Sequence, residues 1–183
     1  MRRRAEQARR EDSDSIGVAG LLPCRKEVGL DCSFKRTTRD GNGVKSQVGP
    51  SFGNNFNNRS EEAIGSATDL WVAFREGRLG SAPPPFLGYF FLLEDCTNVR
   101  RPVGNKEPYF KVDPVFREAS YSRRYEVLCR RLVLERVYSG ACFVMATNSA
   151  KTRISEPASD LSFARFVAAL RGHAVTFLGS QSA

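Results

Sequence analysis

The run Phe86 to Leu93 reads F-L-G-Y-F-F-L-L, with no charged or amide side chain in it. Polar and apolar positions do not alternate along it, so a strand made from it must be covered on both faces. It is also far shorter than the roughly 20 apolar residues a membrane-crossing helix needs, which makes it a core strand and points away from a membrane partner. Pro83-Pro84-Pro85 ends whatever element precedes it. Ala141 to Ala146 is a second run of the same character.

Helical periods lie between and around these strands. Ile64, Ala67, Trp71 and Phe74 form a stripe that stops at Gly77, which predicts a helix over 60–76. Asn58 suits its cap, with Glu61 and Glu62 in its first turn. A second helix is predicted over 120–137, with Tyr121, Tyr125, Leu128, Leu132 and Val133 on one side and Arg123, Arg124, Arg130 and Arg131 mostly on the other. A third runs from Asp160 to Arg171 and is closed by Gly172, Ala174 to Leu178 follows as a last strand, and the polar stretch Glu94 to Ala119 reads as a long loop. Helices alternating with buried strands indicate an α/β or α+β sandwich around a central sheet.

At 183 residues the chain is one domain with an appendage. Residues 1–43 show no sustained period beyond a short helix around Arg3 to Glu11 and read as a loose segment; 44–178 form the core and 179–183 a tail. The short apolar stretch Ile16 to Leu22 follows acidic residues and makes a poor signal peptide. Five cysteines without a C-x-x-C pair indicate neither a disulfide framework nor a zinc ribbon, but reduced thiols of a cytoplasmic protein. His173, the single histidine, excludes a multi-histidine metal site and fits a surface or helix-end position. Lys and Arg total 28 against 20 Asp and Glu, a net charge of +8 suited to a polyanionic partner.

One segment is chemically distinctive: K-S-Q-V-G-P-S-F-G-N-N-F-N-N-R from Lys45 to Arg59, followed by S-E-E-A-I-G-S-A-T-D to Asp69. It reads as a short lysine-bearing strand that runs into a loop of glycines and asparagines. Ser51, Asn54, Asn55, Asn57 and Asn58 can pair with adenine edges or donate to phosphates, and Arg59 can pair with guanine or phosphate. An ordinary Asn/Gly turn explains the same residues. The arginine face of the second helix, Arg123 and Arg124 included, is likewise either a solvated surface or a phosphate-facing stripe.

This segment, with the E-E-A-x-G-S-A-x-D-x-W pattern that follows it, resembles the XhoI-type family of type II restriction endonucleases. Phe86-Leu87-Gly88-Tyr89, Leu92-Leu93-Glu94-Asp95-Cys96, Arg100-Arg101-Pro102-Val103 and the stretch Ala119 to Glu135 are similar too, so the resemblance spans about Val44 to Phe177. It implies a PD-(D/E)xK nuclease: a restriction-endonuclease-like α/β fold with a central mixed sheet flanked by helices, incomplete at its N-terminal side. It further implies cutting of double-stranded DNA at CTCGAG with Mg²⁺, by a homodimer whose two-fold matches the palindrome. Lys45 matches the family's lysine, Gln47 follows on the same strand, and Glu61 or Glu62 would supply a further carboxylate.

Gly43 stands two positions before Lys45, where the family carries Glu, and the family's acid-bearing upstream strand has no counterpart. The abrupt start of similarity suggests a truncated or frameshifted reading frame. Asp31 and Asp40 are nearby acids, Asp40 being the candidate metal ligand. The alternative to a nuclease is a catalytically inactive family member that retains DNA binding.

Overall fold

The computed structural model describes residues 40–80, 83–107 and 109–181, with side chains from Val44 to Ser180. The expectations for residues 1–39, Asp31 among them, lie outside the described residues. In chain order the elements are β1 (Asp40–Gln47), α1 (Phe52–Arg75), β2 (Phe86–Glu94), α2 (Thr97–Arg100), α3 (Tyr121–Leu134), β3 (Gly140–Ala146), β4 (Ile154–Ser155) and α4 (Phe163–Gln181). Single 3₁₀ turns sit at Pro114–Phe116 and Ser159–Leu161.

Strand order is β1-β2-β3-β4, with the first three parallel and β4 antiparallel, so the sheet is mixed. Parallel neighbours need crossovers, and α1 and α3 provide them. Residues in register share a face: Leu87, Tyr89, Phe91 and Leu93 of β2 and Ala141, Phe143 and Met145 of β3 pack under α1 and α3. Phe86 of β2 and Cys142 and Val144 of β3 turn the other way, against Phe166 of α4. Cover on both faces is the reason the two strand sequences have no polar alternation.

Helix α1 begins at Phe52, not near residue 60, so Asn54, Asn55, Asn57 and Asn58 are helical and Asn58 is no cap; Ser51 holds that position without a side-chain capping bond. Phe52 and Phe56 decide this. They extend the buried stripe of Ala63 and Ala67 back by about three turns, Phe52 lying 6.0 Å from the Tyr121 ring and Phe56 5.0 Å from that of Tyr125. Burying one such side chain is worth about 1.5–3 kcal/mol, against well under about 1 kcal/mol for each asparagine's poor helix propensity. The helix does end as expected: Gly77 takes φ 71°, and the Arg78 amide reaches back to Ala73 O at 2.9 Å.

Ala174 to Leu178 is not a strand but the continuation of α4, which passes through Gly172 to Gln181. The stripe Phe166, Leu170, His173, Phe177 keeps helical spacing across the glycine, and His173 lies 5.6 Å from the Phe86 ring. This packing outweighs the roughly 1 kcal/mol that a mid-helix glycine costs. His173 is therefore inside the helix and half-buried, not at its end. The long polar loop contains the short α2 and one 3₁₀ turn. No helix among the described residues is long and apolar enough to cross a membrane.

Candidate nucleic-acid interface

Lys45 stands opposite Phe91 and Gln47 opposite Leu93, so both face the layer formed by α1 and α3. The Lys45 ammonium lies 3.4 Å from Oε2 of Glu62, and Arg59 Nη1 meets the same oxygen at 2.7 Å. One carboxylate thus bridges two cations from two elements. All three groups are partly exposed, so the cluster adds little stability and its cations remain within reach of a ligand. Glu61, one residue earlier and about 100° round the helix, is exposed and points elsewhere.

Gln47 is engaged differently. It is 4% exposed, its Nε2 donates to Phe52 O at 3.4 Å, and its Oε1 accepts from the Tyr125 hydroxyl. It joins β1, the start of α1 and α3. Burial pushes the Tyr125 hydroxyl above its ordinary pKa, so it stays a protonated donor. Asp40 occupies the opposite end of β1, paired with Phe86, and Gly43 pairs with Tyr89.

The asparagines fall into two rows of the kind helical spacing creates. Asn54, Asn58 and Glu61 form an exposed row, with exposed Asn57 beside it, while half-buried Asn55 leads the row of Arg59 and Glu62 toward Lys45. Ser51 is exposed just ahead of them. The first turns of α1 thus present an amide-rich face next to a basic pair.

The arginine face of α3 is largely neutralised. Arg123 pairs with Glu126 at 2.8 Å, Arg130 holds Asp160 through Nε and Nη2 while its Nη1 donates to Glu126, and Arg131 meets Asp113 at 2.6 Å. Arg124 turns inward and donates to Ala119 O, Val103 O and Asn105 Oδ1, bracing the loop before α3. Of Arg123 and Arg124, only Arg123 is exposed. Cys129 and Cys142 are buried, and burial raises both thiols, that of Cys142 to about 11, so neither is a nucleophile.

Sequence reading did not connect the cleft where Asp95, Arg100, Arg101 and Arg153 meet. Arg100-Arg101 was visible as a motif, but nothing local to Arg153 signals that the chain returns there.

A family model described as restriction endonuclease XhoI matches residues 40–156, beginning at the first residue of β1 and not at Val44. The chain belongs to the XhoI restriction endonuclease family. It is 49% identical over 135 residues to the type II restriction enzyme BstVI of Geobacillus stearothermophilus, covering 73% of this chain and 60% of that one. The type II restriction enzyme XhoI of Xanthomonas vasicola is 60% identical over 92 residues, which cover 50% of this chain and 37% of the relative. AbrI of Azospirillum brasilense, also a type II restriction enzyme, is 57% identical over 67 residues, 37% of this chain and 30% of that one. The aligned part thus spans at most about 60% of the length of these XhoI-family relatives. No solved structure matches at a significant level.

Proposed function

We propose that the chain acts as a type II site-specific deoxyribonuclease on the phosphodiester bonds of duplex DNA, at CTCGAG, as a homodimer. The observation that carries this is the family match running through β1, α1, β2, α3 and β3, which includes Lys45, Arg59 and Glu62. In this reading Asn54, Asn57 and Asn58 meet base edges or backbone, and Lys45 and Arg59 meet the scissile phosphate. A phosphate oxygen arriving there displaces the Glu62 carboxylate that both cations hold, exchanging one anion for another.

Mg²⁺, the expected cofactor, takes oxygen ligands, chiefly carboxylates. Among the described residues no three His, Cys, Asp or Glu side chains gather into a cluster, and Glu62 is already held by two cations. The described side chains alone do not fit the ion, and the pairing of Glu62 with Lys45 and Arg59 favours a second reading, DNA binding without cutting. The deciding experiment is Mg²⁺-dependent cleavage of a CTCGAG duplex, with Lys45→Ala as control. Cutting that disappears in the control supports the nuclease; binding without cutting supports the second reading; neither binding nor cutting refutes both.

A further inference from the structure

The cleft outside the carboxyl ends of β2 and β3 shares no residue with the Lys45, Arg59 and Glu62 cluster. Hydrogen bonds from backbone amides tie its walls together. The Asp95 amide adds a rung to the β2–β3 ladder by bonding Ala146 O at 2.7 Å. Thr147 N bonds Arg153 O at 2.9 Å, and Arg153 N returns to Thr147 Oγ1 at 2.8 Å, so the turn into β4 is tied across its neck. α2 then delivers Arg100 and Arg101 to the same place.

Three arginines, Arg100, Arg101 and Arg153, line this concavity with a single acidic residue, Asp95. Arg100 occupies that carboxylate through two bonds, Nε to Oδ1 at 2.6 Å and Nη2 to Oδ2 at 2.8 Å. Arg101 and Arg153 are left without a carboxylate of their own among the described residues. Like charges are gathered in a concave site only at an electrostatic cost, and a bound anion relieves it. Thr97 and Thr147 add hydroxyls to the lining.

We propose that this cleft is a phosphate clamp for duplex DNA, in which Arg101 and Arg153 grip the non-bridging oxygens of one phosphodiester while Asp95 fixes Arg100 as the floor. A phosphodiester carries one negative charge and two accessible oxygens, which suits paired guanidinium forks. The cleft is shallow and open, as befits a continuous backbone lying across it rather than a small anion enclosed in it. β1, β2 and β3 run parallel, so the turn that starts α1 and the cleft open at the same edge of the sheet. The amide row and the clamp can then meet one duplex, the clamp fixing position without reading sequence. This assignment rests on the DNA reading above.

The test is duplex binding by the full chain across a salt series, using one duplex with CTCGAG and one with that site scrambled. Arg101→Ala and Arg153→Ala should each lower the slope of log affinity against log salt by about 1, and the double variant by about 2. Both duplexes should weaken by the same factor, thermal melting should not change, and Arg101→Lys should keep the slope. A double variant with the parent slope on both duplexes overturns the clamp and leaves the DNA reading standing. Loss confined to the CTCGAG duplex overturns it in favour of base reading. If inorganic phosphate stabilises the parent but not the double variant while the DNA slopes stay equal, the site takes the free ion and the proposal fails. A parent chain that binds neither duplex at the lowest salt overturns clamp and DNA reading together.

Discussion

The Tyr125 hydroxyl donates to the side-chain carbonyl of Gln47 and so ties the middle of α3 to the last residue of β1. The same glutamine reaches Phe52 O at the start of α1, and Tyr125 stacks on Phe91 at 4.1 Å. Tyr125→Phe keeps the stacking and leaves the Gln47 oxygen buried without its donor. An unsatisfied buried acceptor costs about 1–3 kcal/mol, and urea unfolding should show a loss of that size.

Tyr89 is the converse case. Its hydroxyl is fully buried and has no hydrogen-bond partner among the described residues. Tyr89→Phe removes a desolvated group and keeps the ring that stacks with Phe91, so unfolding should show no loss or a gain of up to about 1 kcal/mol. A loss above about 2 kcal/mol would mean that the hydroxyl is satisfied in solution.

Two glycines of α1 should respond oppositely to alanine. A Cβ at Gly65 meets nothing within 4 Å among the described residues, so Gly65→Ala should stabilise by up to about 1 kcal/mol through helix propensity. At Gly53 the same atom would stand 2.8 Å from the Tyr121 hydroxyl, where α1 crosses α3. Gly53→Ala should cost about 1–3 kcal/mol by overpacking, and Tyr121→Phe should recover part of it, as a double-mutant cycle would read out.

Acid should weaken the fold in a defined window. Asp95 is held below its ordinary 3.8 by Arg100, Asp113 by the Val115 amide and then Arg131, and Asp160 by Arg130. Depressed carboxylates contribute stability that is complete above their unfolded value and lost as pH falls through the folded one. Melting temperature should therefore be flat down to about pH 5 and fall below about pH 4, with a shallower fall in Asp160→Asn. These pairs are exposed, so added salt should reduce the effect.

Glu62→Gln releases Lys45 and Arg59 from their shared carboxylate. Stability should change by no more than about 0.5 kcal/mol, since the cluster is solvated. Duplex affinity at low salt should rise and become more salt-dependent, which a binding titration would register; unchanged affinity would place both cations outside the interface.

Where one face of an element is buried, the sequence reads well. The Phe86 and Ala141 strands follow from their unbroken apolar content, and the Gly77 stop of α1 follows from its φ requirement. The beginning of α1 does not, because Ser, Gly and Asn favour turns locally and only the distant rings of Tyr121 and Tyr125 make Phe52 and Phe56 core residues. Gly172 misleads for the same reason, its helix being supported from Phe86. At the candidate site, local chemistry singled out Lys45, Arg59 and Glu62, which do converge. Gln47 turns out to be a buried strut, and Arg124 a loop brace committed to Val103 and Asn105. Arg153 joins Arg101 only because β3 returns beside β2, a pairing no local pattern announces.

The strut at Gln47 also acts as an angular index. Each residue turns an α-helix by about 100°, so the direction in which Asn54 and Asn58 look out is set wherever the helix is first gripped. That grip is at Phe52, between Gln47 and the ring of Tyr121. Slipping it by one residue would swing the whole asparagine row a quarter-turn aside and carry Phe52 and Phe56 off the rings of Tyr121 and Tyr125, so aim and stability are set at the same grip.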